Sequence, residues 1–185
     1  MADGSERYLV VICGPPLAGK SALAQHLGRS MPGKTAVIAH DDLLRRLIVI
    51  HDADARQEQV WMYTQVRLLV ANFLRNGYSV IVEGTYLALH DGLLLSGFDE
   101  IGGLFGLMAS LLSGSQLVLV EAPIERLQER LAASHERPSP ADLARLAEAY
   151  TAPRVQGALR LDSSRLSLEQ EVQRVLLALG IRRRE

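Results

Sequence analysis

Six apolar residues, Tyr8-Leu-Val-Val-Ile-Cys13, lead directly into Gly14-Pro-Pro-Leu-Ala-Gly19-Lys20-Ser21, and the helix-forming stretch Ala22 to Leu27 follows at once. A strand, a GxxxxGK[ST] loop and a helix in that order form a phosphate cradle. The glycines permit backbone conformations that turn successive N–H groups toward phosphate oxygens, the lysine supplies a point charge at the β- and γ-phosphates, and the serine hydroxyl joins a Mg²⁺ shell. The nucleotide-binding positions expected on this basis are Gly14, Pro15, Pro16, Leu17, Ala18, Gly19, Lys20, Ser21 and Ala22. Lys20 and Lys34 are the only lysines, and Lys34 is followed by Thr-Ala-Val rather than by the residues of a guanine-reading motif. ATP with Mg²⁺ is therefore the expected nucleotide.

The rest of the chain alternates short apolar runs with amphipathic stretches, the pattern of a parallel sheet covered by helices on both faces. Strands are predicted at Tyr8 to Cys13, Ala36 to Ala39, Ser79 to Val82, Gln116 to Val120 and Ala158 to Leu161. A helical stripe through Met62, Val66, Leu69 and Phe73 stops at Gly77, a natural residue just past a helix end. Further helices are expected from Ala141 to about Tyr150, after Pro138-Ser-Pro140, and from Leu168 to Leu179, ending at Gly180. Ile101 to Val120 carries no charge, but its four glycines, the turn signal Ser113-Gly-Ser-Gln116 and the flanking Glu100 and Glu121 favour a short apolar helix and a strand over a membrane span.

With 185 residues and 48% hydrophobic content the chain reads as one folded domain, residues 1–185. The net charge of -1 offers no global field for nucleic acid or anionic membrane. A lone cysteine, Cys13, forms neither an intramolecular disulfide nor a zinc cluster, and it reads as a buried strand residue. The opening Met-Ala-Asp-Gly-Ser-Glu-Arg lacks the pattern of a secretory leader, so a cytoplasmic location is expected.

Two groups of charged residues attend the phosphate cradle. His40-Asp41-Asp42-Leu-Leu-Arg45 begins where the second strand ends, at the sheet edge where open α/β folds place ligands. Two adjacent acids exceed what one helix cap requires, and a carboxylate beside a γ-phosphate can take the proton of an acceptor hydroxyl. Glu83, closing Val80-Ile-Val-Glu83-Gly84-Thr85, is placed to orient metal-bound water or the acceptor, with Thr85 beside it. The arginines of Glu125-Arg126 through Arg137, namely Arg126, Arg130 and Arg137, are candidates to offset charge on a transferring phosphoryl group.

These motifs resemble the P-loop kinases close to the polynucleotide 5′-hydroxyl kinases, adenylylsulfate kinases and chloramphenicol phosphotransferases. The resemblance spans nearly the whole chain. It implies a three-layer α/β sandwich around a five-stranded parallel sheet of order 2-3-1-4-5, with a short lid over about residues 126–140. It also implies that Asp42 and Arg45 form the general-base and acceptor-binding pair, with Asp41 the neighbouring candidate. Arg130 and Arg137 are implied as lid arginines, and Leu161-Asp162-Ser163-Ser164-Arg165 resembles the loop at the nucleotide base, which makes Ser163 and Arg165 further binding candidates. Glu83-Gly84-Thr85 departs from the Asp-Thr that many members carry, and Leu87 to Ser115 is longer and richer in Leu and Gly than the pattern leads one to expect. The implied activity is transfer of the γ-phosphoryl group of Mg-ATP to a hydroxyl. A small-molecule acceptor is favoured over nucleic acid because Asp41, Asp42, Asp52, Asp54 and Glu58 offset Arg45, Arg46 and Arg56. A polynucleotide or tRNA kinase and a non-catalytic ATP-binding regulatory module are the alternatives, and the oligomeric state is not legible.

Overall fold

The computed structural model describes residues 6–47, 55–90, 93–96, 98–134, 138–151 and 157–181. Its centre is strand β1 (Tyr8–Cys13), every residue of which is buried. β1 pairs in parallel with β3 (Ser79–Glu83) on one side and β6 (Gly114–Glu121) on the other. β2 (Thr35–Ala39) and β7 (Leu159–Asp162) complete a five-stranded parallel sheet of order β2-β3-β1-β6-β7. Among the five main strands this is the expected order 2-3-1-4-5.

A strand buried on both faces needs apolar residues at successive positions, which β1 supplies. Leu9, Val11 and Cys13 join a core with Tyr63, Val66 and Val70 of α3 (Ala55–Arg75) and Leu146 of α6 (Pro140–Ala149). Tyr8, Val10 and Ile12 face the other layer, with Leu23 and Leu27 of α1 (Lys20–Ser30) and Val172, Val175 and Leu176 of α7 (Leu168–Ala178). That is the three-layer sandwich.

The helix ends follow their local chemistry. After α3, the Tyr78 N–H donates to Phe73 O and the Gly77 N–H to Leu74 O, with Gly77 at φ 80°. The pair is a Schellman closure that favours glycine at this position. Gly180 ends α7 in the same way. Ser139 caps α6 by accepting from the Asp142 N–H, and Ser167 and Gln170 form a capping box on α7.

Between β3 and β6 the chain forms features that the sequence pattern does not specify. Strands β4 (Leu87–His90) and β5 (Leu93–Ser96) pair antiparallel as a separate hairpin. Helix α4 (Phe98–Met108) and a 3₁₀ turn (Ala109–Leu111) follow, where a short apolar helix is expected. Helices α2 (His40–Leu47) and α5 (Ile124–Ala132) complete the chain. Among the described residues, no helix is long and apolar enough to cross a membrane.

Gly14 sits at the carboxyl end of β1 with φ 149°, and a β-carbon there would lie 2.1 Å from Val120 O. Since backbone atoms supply the obstruction, no rotamer change can relieve it. Gly14→Ala is expected to lower unfolding free energy by about 3 kcal/mol or more, measured by urea denaturation, whereas unchanged stability would show that β1 and β6 can separate without cost.

Candidate functional site

The loop after β1 carries positive φ at Leu17 (67°) and Gly19 (106°), which turns the backbone abruptly into α1. No side chain caps the start of α1 and no acid lies in its first turn, so its amides and helix dipole present positive charge. Lys20 is only 7% exposed, and its ammonium donates to Pro15 O at 3.0 Å across the loop. The loop thus carries a buried cation beside an uncapped helix start, an arrangement that fits an anion.

Parallel register aligns the remaining groups with this loop. Ile12 of β1 pairs with Glu83 of β3, and Glu83 pairs with Ala39 at the end of β2. Hence Glu83 and the His40-Asp41-Asp42 start of α2 occupy one sheet edge. The Ser21 hydroxyl donates to Glu83 Oε1 at 2.9 Å. Burial pushes the Glu83 carboxyl above its ordinary value, while the Ser21 hydrogen bond and Lys20 pull against this and Asp41 and Asp42 reinforce it. Ser21 and Glu83 are hard oxygen donors joined beside the phosphate loop, which suits a Mg²⁺ ion that takes one or two protein oxygens and completes its shell from phosphate and water. Among the described residues, no group of three His, Cys, Asp or Glu side chains forms a metal cluster.

The two adjacent acids separate in environment. Asp41 accepts from the Thr85 N–H and hydroxyl, both at 3.1 Å to Oδ2, and lies 3.3 Å from His40 Nδ1. Burial alone would raise its carboxyl, but the His40 hydrogen bond, the Lys20 charge and Thr85 bring it below the ordinary value. Asp42 is exposed at the start of the helix.

Thr85 is held from its other side too. The Tyr150 hydroxyl, at the end of α6, donates to Thr85 O at 2.7 Å, and the Leu87 N–H donates to the same carbonyl. Tyr150 carries no motif signal. Its role depends on α6 packing beside β4, which no local pattern announces.

Arg130 of α5 reaches the loop directly. Its guanidinium donates to Leu17 O at 2.9 Å and to Ser163 Oγ and O, each at 3.1 Å, bridging the phosphate loop to the turn after β7. Arg126 is not gathered in with it. The Arg126 guanidinium, 61% exposed, pairs along the helix with Glu129 at 2.8 Å. Arg165 likewise faces solvent, 83% exposed, and pairs with Asp162 at 3.2 Å. In these surface pairs Arg126 and Arg165 stand apart from the Arg130 bridge. Arg137 and the Arg45 side chain lie outside the described residues.

A family model described as an AAA domain (AAA_33) matches residues 9–152. The chain belongs to this P-loop kinase family. Among solved structures, a sugar kinase from Janibacter sp. HTCC2649 is 19% identical, with TM-score 0.62 and 95% of each chain covered. A gluconokinase from Sinorhizobium meliloti 1021 is 16% identical, with TM-score 0.64, covering 95% of this chain and 93% of that one. An APS kinase from Mycobacterium tuberculosis is 15% identical, with TM-score 0.60, covering 95% and 99%. At these identities the likeness is one of fold. Among curated proteins, nothing matches the sequence.

One buried acid lies behind Arg130. Glu171 of α7 is 3% exposed, and among the described residues its Oε1 has no hydrogen-bond partner. Burial pushes its carboxyl up to about 7, Arg130 acting against this and Asp162 with it. Folding therefore favours the protonated form, and the resulting stability is present at low pH and lost as pH rises toward about 7. Glu171→Gln should flatten the fall in melting temperature across about pH 4.5 to 7 and melt above the wild type at about pH 8. Parallel melting curves at all pH values would contradict this.

Proposed function

We propose that the protein is an ATP-dependent phosphotransferase that moves the γ-phosphoryl group of Mg-ATP onto a hydroxyl of a small molecule. The observation that carries this reading is the Ser21–Glu83 hydrogen bond. It links the phosphate loop to the sheet edge bearing Asp41 and Asp42, so nucleotide and acceptor groups share one site. A simple nucleotide-binding module has no need of the second half.

Lys20 and the loop amides hold the phosphates, with Gly14 through Ala22 as the cradle. Ser21 and Glu83 hold Mg²⁺, which when bound offsets charge on the phosphate oxygens. Asp42 takes the acceptor proton as the hydroxyl oxygen bonds to the γ-phosphorus and the bond to the β–γ bridging oxygen breaks, releasing ADP. Asp41 is less suited to that step because His40 and Thr85 engage its oxygens and lower its basicity. Arg130 offsets charge on the transferring group from a lid over residues 126–140 that also carries Arg137, while Ser163 orients Arg130. Arg45 and Thr85 stand on the acceptor side. The sugar kinase, gluconokinase and APS kinase among the fold's relatives support a small-molecule acceptor, as does the net charge of -1.

Two variants divide the reaction. Lys20→Ala should abolish turnover by removing the loop's only lysine. Asp42→Asn retains size and capping ability, so it should keep ATP affinity within a few-fold and the same melting temperature while cutting transfer by roughly 10²-fold or more. Calorimetric ATP titration paired with product formation reads both, and normal transfer by the Asn variant would remove Asp42 from the mechanism.

A further inference from the structure

Beside the proposed acceptor edge, three aromatic rings gather from three elements. His40 at the start of α2 stacks on Tyr63 of α3, with centroids 4.9 Å apart and planes at 11°. Tyr86, just after β3, lies 5.5 Å from His40 and 6.3 Å from Tyr63. His40 is 4% exposed and Tyr86 5%, yet among the described residues His40 Nε2 and the Tyr86 hydroxyl have no hydrogen-bond partner. Buried polar atoms are almost always satisfied, because desolvation without a partner costs as much as a lost hydrogen bond. Two such atoms in one cluster, one and two residues from Asp41 and Asp42 on the His40 side and next to Thr85 on the other, call for a third party.

The chemistry of that party follows from the two atoms. His40 Nδ1 faces the Asp41 carboxylate, which only accepts, so in the neutral ring Nδ1 carries the hydrogen and Nε2 offers a lone pair. The Tyr86 phenol is kept protonated by burial and by Asp41, Cys13, Tyr63 and Glu83 around it, and so offers a hydrogen. A ligand group serving both must donate and accept. An ammonium can donate to Nε2 and to the phenol oxygen but leaves the phenol hydrogen unpaired, a carboxylate cannot donate and is repelled by Asp41 and Glu83, and a hydroxyl pairs both the lone pair and the hydrogen.

We propose that His40 Nε2 and the Tyr86 hydroxyl grip a non-reacting hydroxyl of the acceptor, which makes the acceptor a polyhydroxylated compound of the sugar, sugar-acid or alditol class. This rests on the phosphotransferase reading and adds the substrate class to it. Phosphorylation then occurs at a different hydroxyl of the same acceptor.

The full chain, labelled with ¹⁵N-histidine, is titrated with sorbitol, glucose and gluconate, and with 1,6-dimethoxyhexane, whose ether oxygens accept but cannot donate. At least one polyol should shift the His40 Nε2 resonance saturably, and the diether should not. Tyr86→Phe should weaken that polyol by about ten-fold or more, because the site loses its donor. The same variant should melt at the wild-type temperature or above it, since it deletes an unpaired buried hydroxyl. A His40 signal unmoved by every polyol, equal affinity in Tyr86→Phe, or a response to the diether matching that to sorbitol would overturn the site. So would the finding that a trapped water alone satisfies both atoms. Polyol binding without ATP-dependent product sinks the phosphotransferase reading and leaves this site standing, while transfer with equal KM in wild type and Tyr86→Phe does the reverse.

Discussion

A backbone carbonyl, Val120 O, stands where a β-carbon of residue 14 would be. That close approach lets the phosphate loop leave β1 while β6 runs alongside, and much of the site depends on it. With β1 fixed between β3 and β6, parallel register sets Glu83 level with Ile12 and brings the end of β2 to the same edge. The loop, the Ser21–Glu83 pair and the acids of α2 meet because three strands end together. None of these contacts is local in sequence: Ser21 and Glu83 are 62 residues apart, and Leu17 and Arg130 are 113.

Charge at this edge is distributed so that like groups differ. A buried ammonium, Lys20, faces several carboxylates, and their environments pull the acids apart. Glu83 is raised because burial prevails over Ser21 and Lys20. Asp41 is lowered because His40, Lys20 and Thr85 together prevail over burial. The lowered carboxyl, Asp41, serves as a fixed anchor for Thr85. Tyr150 holds the carbonyl of that same threonine. The segment after β3 is thereby pinned between Asp41 of α2 and Tyr150 at the end of α6.

The parts legible in the sequence are those where local chemistry and tertiary need coincide. Tyr8 to Cys13 reads as a doubly buried strand and is one. Gly77 and Gly180 read as helix stops and adopt the conformation that favours glycine. The phosphate loop is specified by residues whose spacing is their function. What sequence reading misses is decided across the fold. Arg126 and Arg130 share one helix face and similar neighbours, yet only Arg130 comes within reach of Leu17 and Ser163, and Arg126 settles on Glu129. The β4–β5 hairpin draws on leucine-rich runs whose periodicity suits helix and strand alike. His40 sits within the motif read for its acids, but its unpaired nitrogen becomes visible only once Tyr63 and Tyr86 close around the ring.

One sheet edge is thus proposed to hold both a nucleoside triphosphate and the hydroxyl that receives its terminal phosphoryl group. Phosphorus NMR of the wild-type chain with Mg-ATP and a sorbitol, glucose and gluconate mixture tests it in one spectrum. The account predicts that ADP accumulates in step with a new phosphomonoester resonance and with little inorganic phosphate. ATP that persists unchanged, or that yields inorganic phosphate alone, would contradict it.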